Sequence, residues 1–255
     1  MFRSRKKNAP KTQPAEFGDD SLVLVDRAVH PFVVLFHDST GFRSEQIRSL
    51  RNKLIAMNPD GAPKTLVVTS SIRGEGKTVT SINLALAFAE LERTPVLLLD
   101  ADLRSPSVEH YLNLSPEPGF ADILVGRTEL SRATRECGLR NLSVIGAGTP
   151  LTGPSEMITA PKVQELFDRV KEGFQYVIVD TPPVLPSTDA SVMAARADGT
   201  LLCVRLEHSS KSLTKDAVRN LQELGANVLG TFVTELRGQD PEADPRLGGG
   251  KAREF

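Results

Sequence analysis

An apolar, β-branched run, TLVVTS at 65–70, passes directly into SIRGEGKT at 71–78 and then into a helical stretch reaching Glu92. No other feature restricts the fold of this chain so strongly. The eight residues fit G-x-x-x-x-G-K-[ST] except at the first position, where Ser71 stands for glycine. Each residue type has a physical task. Gly74 and Gly76 let the backbone curl so that successive N–H groups point inward at phosphate oxygens. Lys77 brings a mobile point charge to the β- and γ-phosphates. The Thr78 hydroxyl can ligate Mg²⁺. The helix that follows from Val79 offers its N-terminus and dipole to an anion. Glu75 and Val79 complete the stretch expected to line a bound nucleotide. A Gly-rich turn with a coincidental lysine needs no strand before it and no helix after it. This loop has both.

The rest of the pattern agrees. Further short, nearly all-apolar runs lie at 95–100, 142–147, 176–180, 200–206 and 227–233. Such runs suit strands covered on both faces. Helical stretches at 78–92, 160–172, 188–197 and 211–224 separate most of them. Alternation of this kind predicts an α/β fold, a mostly parallel sheet with helices on both faces, of the P-loop NTPase type. One domain over 21–236 is the economical division of the 255 residues. The start, 1–20, is polar, Pro-containing and basic (Arg3, Arg5, Lys6, Lys7, Lys11), and is expected to be a disordered tail. The end, 237–255, is expected to be a flexible tail without tyrosine.

Charge and cysteine content exclude several classes. Lys+Arg 31 against Asp+Glu 32 gives net charge −1, so no nucleic-acid partner is expected. Cys137 and Cys203 lie far apart, and Cys203 sits in an apolar run, which predicts a buried free thiol and excludes a disulfide scaffold. No apolar stretch approaches ~18 residues, and the basic start has no apolar region after it, so a cytoplasmic chain is expected. The four histidines, His30, His37, His110 and His208, show no metal-ligand spacing.

Three carboxylates complete the chemical pattern. LLLDAD at 97–102 closes a strand with Asp100 and Asp102, two residues apart and so on the same side. VIVD at 177–180 closes another with Asp180. At the carboxyl ends of parallel strands these groups face the crevice where ligands bind. An acid placed there can hold the water shell of a phosphate-bound Mg²⁺. A spare carboxylate can act as a base toward a hydroxyl or a water. Any one of the three could be a turn or cap aspartate. Three at strand ends, together with Lys77, form a set.

On these segments the chain resembles the bacterial tyrosine kinases of capsule and exopolysaccharide systems, which are deviant-Walker P-loop ATPases. The likeness covers roughly 29–236 and rests on SSIRGEGKT at 70–78, LLLDADLRSP at 97–106 and YVIVDTPP at 176–183. PGFADILVGR at 118–127, GAGTPLTGPSEM at 146–157, TDASVMAARADGTLLCVR at 188–205 and GTFVTEL at 230–236 also fit. The most specific segment is EQIRSLR at 45–51, an E-x-x-R-x-x-R helix that bridges neighbouring subunits of a ring in this family. The resemblance implies ATP and Mg²⁺ as cofactors, Lys77 and Thr78 on the phosphates and metal, Asp102 and Asp180 positioning Mg²⁺, and Asp100 as base for a tyrosine hydroxyl. It implies Glu45, Arg48 and Arg51 as the subunit contact of a homo-oligomer. It also implies a membrane polysaccharide co-polymerase as activating partner, which would hold the protein at the inner face of the membrane. From spacing alone, Glu45, Arg48 and Arg51 share one helical face while Ile47, Leu50 and Leu54 face the core. On spacing alone such a face is more often a solvated one, and only the resemblance favours a subunit contact.

Three departures from the family pattern stand out. Arg73 replaces the usual proline before Gly74. Thr234 stands where related ATPases often carry an asparagine that reads adenine. The family's C-terminal tyrosine cluster has no counterpart, since Tyr111 and Tyr176 are the only two tyrosines. Tyr176 opens a strand and is expected to be partly buried; Tyr111 follows DLRSP on a short helix. Autophosphorylation of a tyrosine tail is therefore not expected. The competing reading is an oligomerisation switch like the partition and division-site ATPases, but Ile72 occupies the place of their signature lysine.

Overall fold

The computed structural model describes residues 29–116, 118–138 and 141–234; the expected tails at 1–20 and 237–255 lie outside them. In chain order the elements are α1 (Val34–His37), α2 (Phe42–Ala56), β1 (Lys64–Ser70), α3 (Lys77–Ala89), β2 (Val96–Asp100), α4 (Val108–Tyr111), α5 (Phe120–Leu124), α6 (Leu130–Ala133), β3 (Arg135–Glu136), β4 (Leu142–Ile145), α7 (Pro154–Met157), α8 (Ala160–Lys171), β5 (Tyr176–Asp180), α9 (Asp189–Ala194), β6 (Gly199–Arg205), α10 (Lys211–Glu223) and β7 (Val228–Thr234). Among the described residues, seven strands form one sheet in the order β3-β4-β2-β5-β1-β6-β7. All neighbours are parallel except β3, which pairs antiparallel with β4 at the edge.

The six apolar runs are the six parallel strands. The two-residue strand β3 was not expected, because an arginine and a glutamate carry no strand pattern of their own. It exists because β4 offers it an open edge. The short helices α5 to α7 are too brief to show a period in the sequence.

Strand alternation builds a core on each face of the sheet. Leu66, Val68, Leu98, Ile178, Leu201 and Cys203 point to one side, where Leu35, Ile47, Leu54, Ile82 and Phe88 of α1, α2 and α3 cover them. Val67, Leu97, Leu99, Val177, Val179 and Leu202 point to the other, under Phe120, Phe167, Met193 and Leu221. α8 shows why it seals that face. Val163, Leu166, Phe167 and Val170 recur at three- and four-residue spacing and are buried, and Pro161 opens the helix where no N–H is needed.

α3 is buried on nearly all sides, because it lies between the sheet and α2. Its few polar side chains are bonded. Asn83 Oδ1 accepts from Leu35 N–H at 3.2 Å, and Asn83 Nδ2 donates to the Phe32 carbonyl at 2.9 Å, tying the segment before α2 onto α3. Cys203 is a buried free thiol, as expected, with its pKa pushed up to about 12 by burial. No helix among the described residues is long and apolar enough to cross a membrane.

Phe88 joins α3 to the sheet. It is fully buried, and its ring stacks on Tyr176 of β5 at 4.1 Å between centroids. Phe88→Ala removes that stack and leaves a cavity, so urea denaturation is expected to show a loss of about 3–5 kcal/mol. A loss below about 1 kcal/mol would contradict this packing.

Candidate functional site

β1 ends at Ser70, and the chain turns at once through Gly74 and Gly76 into α3. Both glycines have left-handed φ, 83° and 84°, which a side chain would resist. The backbone N–H groups of Gly74, Gly76, Lys77 and Thr78 donate to no other group among the described residues. Ser71 Oγ is buried without a hydrogen-bond partner among them. Polar groups left this way at a helix N-terminus form a cradle for an anion. Val79 follows on the first turn of α3 and is half-buried.

The sheet order brings the carboxylates to this loop. β5 lies between β1 and β2, and Asp100 and Asp180 are register partners at the ends of adjacent strands. Lys77 Nζ donates to Asp102 Oδ2 at 2.7 Å and to Thr78 Oγ1 at 3.3 Å, and lies 3.9 Å from Asp180 Oδ2. Thr78 Oγ1 donates to Asp180 Oδ2 at 2.7 Å, and Ser81 Oγ donates to Asp180 Oδ1 at 3.1 Å. Lys77, Thr78, Asp100, Asp102 and Asp180 therefore form one cluster, as the sequence predicts.

Asp100 is as fully buried as Asp180. Its oxygens accept N–H bonds from Asp102 at 3.1 Å and from Ser107 and Val108 at 3.0 Å, and none of its surface is exposed. To take a proton from an outside hydroxyl, Asp100 would need the turn before α4 to lift away. Asp102 Oδ1 accepts from Arg104 and Ser105 N–H, which leaves Oδ2 toward Lys77.

Three acids around one cation leave an excess of buried negative charge. Burial and the neighbouring Asp180 push Asp100 up to about 7, against three backbone N–H bonds that lower it. Burial raises Asp180 as well, opposed by Lys77 and Thr78. Burial works against the charge on Lys77, but Asp180, Asp102 and Asp100 outweigh it and raise its pKa. Among the described residues no three His, Cys, Asp or Glu side chains are gathered as a cage for a bare ion. The donors fit instead a Mg²⁺ that keeps several waters and is shared between a hydroxyl and phosphate oxygens.

The structure places the remaining expected residues as follows. Glu75 turns its carboxylate away from Lys77, toward Ile72 N–H at 3.0 Å and the Ser209 hydroxyl, so only its backbone faces the cradle. Arg73 is exposed. Tyr176 is buried and accepts from Asn58 Nδ2 at 3.4 Å; Tyr111 is half-buried with His30 4.5 Å from its ring. Glu45, Arg48 and Arg51 lie far along the chain from the loop but join the other end of α3. Arg48 Nη2 bonds Glu90 at 2.6 Å and Nη1 bonds Glu45 at 2.6 Å. Arg51 Nη1 donates to the Ala87 carbonyl at 2.8 Å and to Glu90 at 3.1 Å. These cations sit at the C-terminal end of α3, where the dipole favours them.

Sequence reasoning missed three residues here. Ser81 lies one turn after Thr78 on the same helical face, a spacing that could have revealed it. Ser107 reaches Asp100 only because α4 folds back. Arg104 Nε bonds Asp189 of α9 at 3.0 Å and Arg104 also reaches Ser155 of α7, joining three segments distant in sequence.

Known proteins resemble this chain in sequence and in fold. Residues 64–228 match the AAA domain family. The chain is 29% identical over 201 residues to tyrosine-protein kinase YwqD of Bacillus subtilis, covering 79% of this chain and 84% of that one. Several other curated relatives are longer, and the chain spans about a quarter of their length (25–28%). The kinase domain of Escherichia coli tyrosine kinase ETK superposes with TM-score 0.75 at 28% identity, over 81% of this chain and 80% of that one. MinD of Pyrococcus horikoshii, solved with Mg-ADP, shares the fold at TM-score 0.59 and 22% identity, over 67% of this chain and 70% of that one.

The charge imbalance has a measurable consequence in the protein freed of nucleotide and metal by EDTA. Asp100 has a folded-state pKa above its unfolded value, so its contribution is complete below pH ~4 and is lost as pH rises toward about 7. Asp122 and Asp198, both lowered chiefly by hydrogen bonds from N–H groups that outweigh their burial, act in the opposite sense as pH falls through their own range. Thermal or urea unfolding across pH 4–7 is expected to show stability falling by up to about 4 kcal/mol. Asp100→Asn is expected to flatten that slope. An equal slope in both proteins would refute the assignment.

Proposed function

The chain belongs to the bacterial tyrosine-kinase family of P-loop ATPases, and from that premise we propose that it binds Mg·ATP and transfers the γ-phosphoryl group to tyrosine hydroxyls of another protein. The observation that carries this reading is the Lys77 ammonium held between Asp102 and Asp180 beside an unpaired N–H cradle. Gly74 to Val79 would hold the phosphates, with Lys77 on the β- and γ-groups. Thr78, Asp102 and Asp180 would hold Mg²⁺ and its waters, and the metal supplies charge neutralisation at the phosphates when bound. Asp100 would act as base once the turn above it opens. The acceptor is assigned to another protein because Tyr176 is buried and Tyr111 is packed against His30.

The family further supports a role in exopolysaccharide or capsule synthesis. The partner would be a membrane co-polymerase that activates the enzyme at the inner face of the membrane, with no nucleic acid involved. Self-association through Glu45, Arg48 and Arg51 would assemble a ring. The alternative is a nucleotide-driven oligomerisation switch like MinD. The weaker likeness to MinD, TM-score 0.59 against 0.75, places it second.

Incubation with labelled ATP, Mg²⁺ and a cytosolic activator segment bearing tyrosines tests the reading. Phosphotyrosine is expected on the segment, abolished by EDTA and reduced about 100-fold or more by Lys77→Met. ATP hydrolysis without any phosphotyrosine would favour the switch.

A further inference from the structure

Glu75 carries a carboxylate with no exposed surface inside a loop shaped for anions. A negative charge there opposes the ligand, so its presence calls for a compensating task. Its Oε2 accepts from Ile72 N–H at 3.0 Å, and its Oε1 is bonded to the Ser209 hydroxyl. Ser209 Oγ accepts in turn from Arg205 N–H at 2.8 Å, and Ser209 N–H donates back to the Arg205 carbonyl at 2.8 Å. These bonds close the turn at 205–209 that leaves β6, in which Glu207 has the left-handed φ of 60°.

The same turn and the end of β7 then grip the outer side of the phosphate loop at three successive carbonyls. His208 Nε2 lies 3.1 Å from the Arg73 carbonyl and must carry the hydrogen, since that oxygen only accepts. Arg205 Nη1 donates to the Gly74 carbonyl at 3.1 Å. Thr234 Oγ1 donates to the Glu75 carbonyl at 3.0 Å. A Cβ added at Gly76 would come within 3.2 Å of Thr234, so the contact is close.

Peptide planarity turns this grip into a direction. In a trans peptide the carbonyl and the next residue's N–H point opposite ways. Holding the carbonyls of Arg73, Gly74 and Glu75 outward therefore aims the N–H groups of Gly74, Glu75 and Gly76 inward. Without the grip, two glycines would leave the loop many conformations. We propose that Glu75 is a positioning residue: through Ser209 it fixes the 205–209 turn, and with Thr234 that turn aims the phosphate-binding N–H groups. The proposal rests on the reading of this loop as a nucleotide site. It assigns Thr234, which stands where related ATPases carry a base-reading asparagine, to the loop itself.

Two measurements on the whole chain test it. One is hydrogen exchange of the 71–78 amides without ligand; the other is affinity for a fluorescent ADP with Mg²⁺. Glu75→Ala is expected to speed exchange about ten-fold and weaken binding about ten-fold or more, as loss of buried hydrogen bonds implies. Glu75→Gln can offer its oxygen to Ile72 N–H and its amide to Ser209, and is expected to restore most of both. If Glu75→Ala fails to fold, Ser209→Ala is expected to show the same two changes at smaller size. A lower melting temperature with wild-type loop exchange and affinity would overturn the proposal and leave Glu75 a purely structural role. Wild-type protein that binds no nucleotide would overturn the nucleotide reading instead, while loop exchange in the variants would still decide for or against the tether.

Discussion

Two carboxylates, Asp102 and Asp180, share the ammonium of Lys77 at the carboxyl ends of β2 and β5, and a third, Asp100, is buried beside Asp180. Unpaired charge in such a place is costly, so every neighbouring element is bent toward relieving it. The hydroxyls of Thr78 and Ser81 turn to Asp180, and the turn into α4 spends its N–H groups on Asp100. These donors come from α3 and from the segment after β2. They meet only because β5 separates β1 from β2 in the sheet. Local bonding leaves negative charge in excess there, and burial raises the pKa of Asp100 and Asp180.

Much of this was readable in the sequence, and the residues show where reading stops. The parallel strands were legible because strands covered on both faces have to be apolar at nearly every position. The phosphate loop was legible because its chemistry admits few residue types. Asp100 and Asp180 were recognisable as acids at the ends of apolar runs. That they would be register partners was not, because strand order depends on packing between elements distant in sequence. Glu75 was taken as part of the cradle, yet its side chain faces the other way. Only the position of Ser209, far along the chain, decides that direction. β3 escaped notice for a similar reason, since an edge beside β4 rather than any preference of Arg135 and Glu136 makes it a strand.

The arginines of α2 were read as a solvated or subunit-facing surface, and the structure adds a partner within the chain. Glu90 binds both Arg48 and Arg51, and the Arg48 guanidinium is held more firmly charged chiefly by its hydrogen bond to Glu90, against its burial. A face engaged in this way is neither idle nor free. A neighbouring subunit that used these arginines would have to share them with Glu90 or replace it.

α3 begins at the phosphate loop and ends beside those ion pairs. Thirteen residues of unbroken helix make a rod of about 20 Å. It is wedged between the sheet and α2 with nearly every side chain packed, so it has little room to bend. A rod held that way joins the loop at Lys77 to the ion pairs at Glu90 through one packed helix. The spacing between those two ends is therefore set by the helix itself rather than by the loops around it.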